Sequence, residues 1–151
     1  MEIILFEPEI PPNTGNVARL SAGLGIRLNL IEPLGFSIAD KDLKRAGLDY
    51  WPYVDLRVWG DWRSFRESWG GGRIIATSAR GGEHFSRYAA RADDGLLFGP
   101  ETRGVPDALA AEADRIYNIP MKPGVRSLNL STTVGFFAGI ALSRLLSGGG
   151  N

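Results

Sequence analysis

The residues able to do chemistry gather in three stretches, EPEIPPNTGNVAR (7–19), GPETRGVP (99–106) and PMKPGVRSLNLS (120–131). In the second, a carboxylate, Glu101, and a guanidinium, Arg103, stand between Gly99 and Gly104, and glycines on such a turn let a ligand approach bare backbone. The same two charges could instead satisfy each other as a surface pair. In the first stretch, Asn13, Gly15 and Asn16 precede Arg19 in a turn that exposes a helix N-terminus, a natural place for an anionic group. In the third, Ser127, Asn129 and Ser131 alternate with Leu128 and Leu130. That pattern reads as a capped helix start, as a ligand-binding turn whose leucines pack an aromatic ring, or as both.

Missing residue types narrow the chemistry. The chain has no cysteine and one histidine, His84, so thiolate nucleophiles, cysteine metal sites and disulfides are excluded and no metal is expected. The dinucleotide fingerprint G-x-G-x-x-G is absent, GPETRG lacks the Gly-Lys-Ser/Thr ending of a phosphate loop, and Pro100 removes an N–H that a phosphate cradle would use. The expected ligand has no triphosphate. With 17 basic against 17 acidic residues, a nucleic-acid partner would have to be held by a local patch.

The 151 residues, 44% hydrophobic and 23% charged, fit a single domain over 1–151 with a flexible glycine tail at 148–151. Strands are expected near 2–6, 26–31, 54–59, 73–78, 95–98 and 115–119, with helices between them. The first helix should start at Asn13 or Thr14, either able to cap it, and stop at Gly25. Others should run from about Asp61 to the glycines 70–72, from Pro106 to Ala113, and from about Leu130 to Ser147. The alternation predicts an α/β fold, a mostly parallel sheet with helices on both faces, whose ligands collect at the carboxyl ends of the strands. The N-terminus is too short and too acidic for a signal peptide, and Val134–Leu146 falls short of the ~20 residues that span a bilayer, so a cytoplasmic protein without a membrane partner is expected.

Taken together, EPEIPPNTGNVARL (7–20), RAGLDY (45–50), LLFGPETRGVP (96–106) and IPMKPGVRSLNLSTTVGF (119–136) resemble the SPOUT superfamily of RNA methyltransferases, within it the small TrmL-like enzymes that 2′-O-methylate the wobble nucleotide of tRNA. The resemblance implies a C-terminal deep trefoil knot, a homodimer, and an S-adenosylmethionine site at Thr77, Gly99, Glu101, Gly104, Ile119, Met121, Ser127 and Leu128. It nominates Arg19 at the reacting hydroxyl and Asn129 to position the ribose. An arginine is a poor base at neutral pH, so a role stabilising the developing alkoxide suits Arg19 better. Lys41, Lys44, Arg45, Arg103, Lys122 and Arg126 are the candidate contacts to tRNA phosphate. Gly124 and Val125 depart from the polar residues that relatives can carry there. Competing expectations are a methyltransferase of this family acting on another tRNA or rRNA site, a non-catalytic nucleotide- or RNA-binding module, and an ordinary doubly wound nucleotide enzyme.

Overall fold

The computed structural model describes every residue except 40, 42, 44, 46–48 and 149–151, so the candidate Lys44 and the tail after Gly148 lie outside the described residues. Seven strands, β1 (Glu2–Phe6), β2 (Arg27–Ile31), β3 (Leu56–Trp59), β4 (Ile74–Thr77), β5 (Glu83–His84), β6 (Gly95–Phe98) and β7 (Arg115–Asn118), form one sheet in the order β3-β2-β1-β6-β4-β7-β5. All neighbours pair in parallel. Six strands lie within two residues of their expected bounds. The seventh, β5, is too short and polar to show a periodicity, and forms because Glu83 and His84 align with Tyr117 and Asn118.

Period-two alternation sorts the strand side chains onto two faces. Ile3, Leu5, Leu28, Leu30, Ile75, Leu96 and Phe98 pack under α1 (Pro11–Leu24) and the C-terminal helix through Val17, Ala18, Val134, Phe137, Ala138 and Ala141. On the other face Ile4, Phe6, Ile31, Ile74, Ala76 and Leu97 meet Phe65 of α2 (Trp62–Ser68) and Leu109 of α3 (Asp107–Glu112). Burying a side chain such as Phe137 contributes about 1.5–3 kcal/mol, and this ring also meets Phe98 and Tyr88 edge-on or tilted.

The first helix begins two residues before the expected cap. Ile10 is its N-cap and gives no side-chain cap bond, and Pro11 and Pro12 occupy the first turn, where a missing N–H costs nothing. Asn13 and Thr14 are therefore buried inside the helix rather than capping it. Gly25 ends it at φ 65°, as expected. Asp61 caps α2 by accepting from the Ser64 N–H at 2.7 Å, and that bond holds its carboxyl below the usual carboxylate range. The C-terminal helix, α4 (Leu130–Gly148), has 19 residues, more than its apolar centre suggested, and by length and composition alone could cross a membrane. Its Leu130, Val134, Phe137, Ala138 and Ala141 are buried in the protein core instead.

Polar groups lock the amino ends of the strands. Asp94, wholly buried, accepts two bonds from Arg73 at 2.9 and 2.8 Å, one from the Tyr88 hydroxyl at 2.9 Å and one from the Arg91 N–H at 2.9 Å. Burial, and then the neighbouring Asp94 charge, push the Tyr88 hydroxyl above its usual range, so it stays a donor. Beside it Glu2 accepts from Arg27 and Asn29, and the Asn29 side-chain oxygen accepts from the Trp59 indole at 3.0 Å.

Candidate active site

Four adjacent parallel strands, β1, β6, β4 and β7, point their carboxyl ends the same way, so the segments that follow them share one edge of the sheet. Between β1 and β6 the strand order reverses, and a crevice forms there because the outgoing chains diverge. The resulting cleft has a volume of about 310 Å³, within the range of small-molecule sites. Thr77, Gly99, Glu101, Gly104, Ile119, Met121, Ser127, Leu128 and Asn129 all line it. Ile10, Asn13, Ser78, Ala79 and Thr133 join them, with Phe98, Tyr117 and Phe137 connecting the cleft to the core.

The two glycines of the 99–106 loop are needed by the loop itself. A Cβ on Gly99 would sit 2.1 Å from the carbonyl carbon of Gly104, and Gly104 has φ 69°, a backbone that favours glycine. Gly104 N–H closes the turn on the Pro100 carbonyl at 2.8 Å. Their permissiveness shapes the wall of the cleft as much as it exposes backbone.

Glu101 faces inward to the protein. Its carboxylate accepts from the Glu9 N–H at 2.8 Å, the Ile10 N–H at 3.1 Å and the Asn13 amide at 3.2 Å. Glu9 reciprocates, accepting from the Thr102 N–H at 2.9 Å and the Thr102 hydroxyl at 2.8 Å. Two loops more than ninety residues apart are thus clasped by exchanged carboxylates. Glu101 therefore braces the loops while lining the cleft, its three protein donors leaving about one acceptor site unused.

Asn13 extends the clasp to the third loop, its side-chain oxygen accepting from the Asn129 amide at 2.8 Å. The Asn129 oxygen in turn accepts from the Ser131 N–H at 2.9 Å and the Ser131 hydroxyl at 2.7 Å, so Asn129 also caps α4. The helix-cap reading of this turn is thus observed, and Ser127, Leu128 and Asn129 also face the cleft. Asn13 was legible only as a possible cap, and its role as a bridge depends on residues 88 and 116 positions away.

None of the described basic candidates lines the cleft. Arg103 is paired with Glu7 at 2.6 Å, with Glu7 itself in the left-handed region at φ 46°, so this exposed cation is shared with a carboxylate through one of its donors. Lys41, Arg45, Lys122 and Arg126 are exposed, and among the described residues none has an ion-pair partner. Lys122 and Val125 close a turn, N–H to carbonyl at 3.0 Å, in which Gly124 takes φ 88°. The glycine of KPGVRS therefore has a conformational cause. Arg19 is exposed on α1 outside its own cleft, donating to the Tyr50 hydroxyl at 3.2 Å.

With this geometry in place, comparison with known proteins is informative. The SpoU rRNA Methylase family matches residues 1–139. The tRNA (cytidine(34)-2'-O)-methyltransferase of Escherichia coli (strain K12) is 46% identical over 136 residues, covering 89% of this chain and 87% of that one. A solved structure described as giving insights into the 2-OH methylation of C/U34 on tRNA superposes with a TM-score of 0.93 at 48% identity, over 97% of this chain and 96% of the other. An AdoMet-bound rRNA methyltransferase from Sinorhizobium meliloti shares the fold alone, with a TM-score of 0.86 at 22% identity over 95% of this chain and 56% of that one. The family's match to nearly the whole chain and the near-half identity to full-length relatives lead to one conclusion: the chain belongs to the SpoU rRNA Methylase family.

Proposed function

We propose that the protein is an S-adenosylmethionine-dependent tRNA methyltransferase that modifies the ribose 2′-hydroxyl of nucleotide 34, cytidine or uridine. The observation that carries this reading is convergence. Segments far apart in the chain form one cleft from Asn129 and the residues that the family resemblance nominates for the cofactor, in a chain 46% identical to a relative named for that activity.

The cleft fits the cofactor chemically. Its volume suits a nucleoside, Ile119, Met121 and Leu128 offer an apolar wall for a ring, and Thr77 and Ser127 offer hydroxyls. Leu128 is 38% exposed, apolar surface that a bound adenine would cover. When bound, S-adenosylmethionine supplies a methyl group on a positively charged sulfur, open to in-line displacement without a metal.

The protein's part is alignment and charge. The clasp of Glu9, Glu101, Asn13 and Asn129 holds the cleft walls in register before any ligand arrives. One N–H of the Asn129 amide remains after its bond to Asn13, available to a ribose oxygen. The Arg19 guanidinium stabilises the alkoxide as the hydroxyl gives its proton to solvent. Lys41, Arg45, Lys122 and Arg126, with Lys44 and Arg103, hold the phosphates.

The reading includes a single knotted domain, a cytoplasmic location and a homodimer. Gly139, exposed on α4 with open space beside it, gives a small-residue edge for close approach of a second copy. Incubating the protein with labelled S-adenosylmethionine and tRNA from cells lacking the gene, then analysing nucleosides by mass spectrometry, should yield 2′-O-methylated nucleoside at position 34. Label elsewhere in the RNA, or none, overturns the assignment. Arg19→Ala should lower the methylation rate by about 10²–10³-fold and leave S-adenosylhomocysteine affinity within twofold.

A further inference from the structure

Arg19 is gripped by one aromatic residue in two ways. Its Nη2 donates to the Tyr50 hydroxyl at 3.2 Å, and its guanidinium carbon lies 4.6 Å from the centre of the Tyr50 ring. Among the described residues no carboxylate pairs with Arg19. That distinction has chemical weight. A carboxylate would fix the guanidinium but cancel much of its field, whereas a phenol ring and hydroxyl fix both its place and its plane and leave the charge intact.

Tyr50 is itself well placed to serve as a platform. Its backbone carbonyl accepts from the Tyr53 N–H at 2.9 Å, starting the short 3-10 turn Trp51–Tyr53, and Trp51 packs against the core beneath α1. That packing ties the Tyr50 turn to the same core cluster on which α1 rests.

We propose that Tyr50 is a positioning residue that orients the Arg19 guanidinium for methyl transfer. The proposal rests on the reading of Arg19 as the group at the reacting hydroxyl. Tyr50→Phe keeps the ring and loses the hydrogen bond, and should lower kcat about threefold. Tyr50→Leu keeps an apolar side chain but loses both contacts, and should lower kcat about tenfold. KM for tRNA, S-adenosylhomocysteine affinity and the melting temperature should stay at parental values. Single-turnover rates in an Arg19→Ala background should show no further loss from Tyr50→Leu, because the two residues act through one interaction.

Parental kcat in Tyr50→Leu beside an inactive Arg19→Ala overturns the proposal while sparing the role of Arg19. So does a loss that adds in full to that of Arg19→Ala, or one that falls on KM or cofactor affinity instead. Full activity of Arg19→Ala removes the premise, and the proposal with it.

Discussion

At the amino ends of the strands Asp94 is wholly buried and its four bonds come from Arg73, Tyr88 and Arg91, whereas at the carboxyl ends Glu101 is half-buried and takes its three from Glu9, Ile10 and Asn13. Each is a carboxylate engaged by several protein donors. They differ in what lies around them. Asp94 ties Arg73 and the 88–91 turn to the core and does not itself line the cavity of about 400 Å³ that Glu2, Asn29, Trp69 and Asp93 enclose at the same end, so its bonds serve stability. Glu101 joins loops that enclose an open cleft, so its bonds shape a place for something else. Engagement of a polar group thus says little about purpose until its surroundings are known.

Substitutions at the two ends should separate these roles. Asp94→Ala leaves the mostly covered Arg73 guanidinium without its carboxylate and strands the buried Tyr88 hydroxyl, and should cost about 3–5 kcal/mol in urea unfolding while the folded fraction binds S-adenosylhomocysteine normally. A change below 1 kcal/mol would erase the contrast. Glu101→Ala should cost only about 1–2 kcal/mol, since its loops can rehydrate, yet weaken S-adenosylhomocysteine binding about tenfold in calorimetry. Equal damage to stability at both ends would show that the clasp is ordinary scaffolding.

Lys122→Ala combined with Arg126→Ala tests the rim of the cleft, where neither network reaches. Stability should stay within about 0.5 kcal/mol, and the log–log salt dependence of tRNA binding should flatten by about 2. An unchanged slope would remove both residues from the RNA surface.

Much of the frame was legible because its causes are local. Runs such as EIILF and GLLF mark buried strands, and Gly25 and Asp61 mark helix ends by their own backbone and side-chain chemistry. The start of α1 was misplaced because Pro11 and Pro12, not a polar cap, open the helix, and Ile10 has no local signature. The carboxyl-end rule located three loops correctly, and the cleft gathers them. What they do to one another was hidden. Glu101 sits two residues from Arg103 and invites an ion pair, yet Arg103 reaches Glu7 and Glu101 reaches Glu9, Ile10 and Asn13, choices made by strand order rather than by neighbours in sequence.

The exchange between Glu9 and Glu101 also bears on how the protein comes into being. A chain emerging from the ribosome exposes its N-terminal loop early, with the donors of Glu9, Ile10 and Asn13 turned to water until residue 101 has been made. The third loop follows nearly thirty residues later, so no partly synthesised form holds a finished cleft. Contacts so far apart in sequence close late and slowly. Ligand-binding competence therefore waits until all three loops have been synthesised, and no single segment carries it.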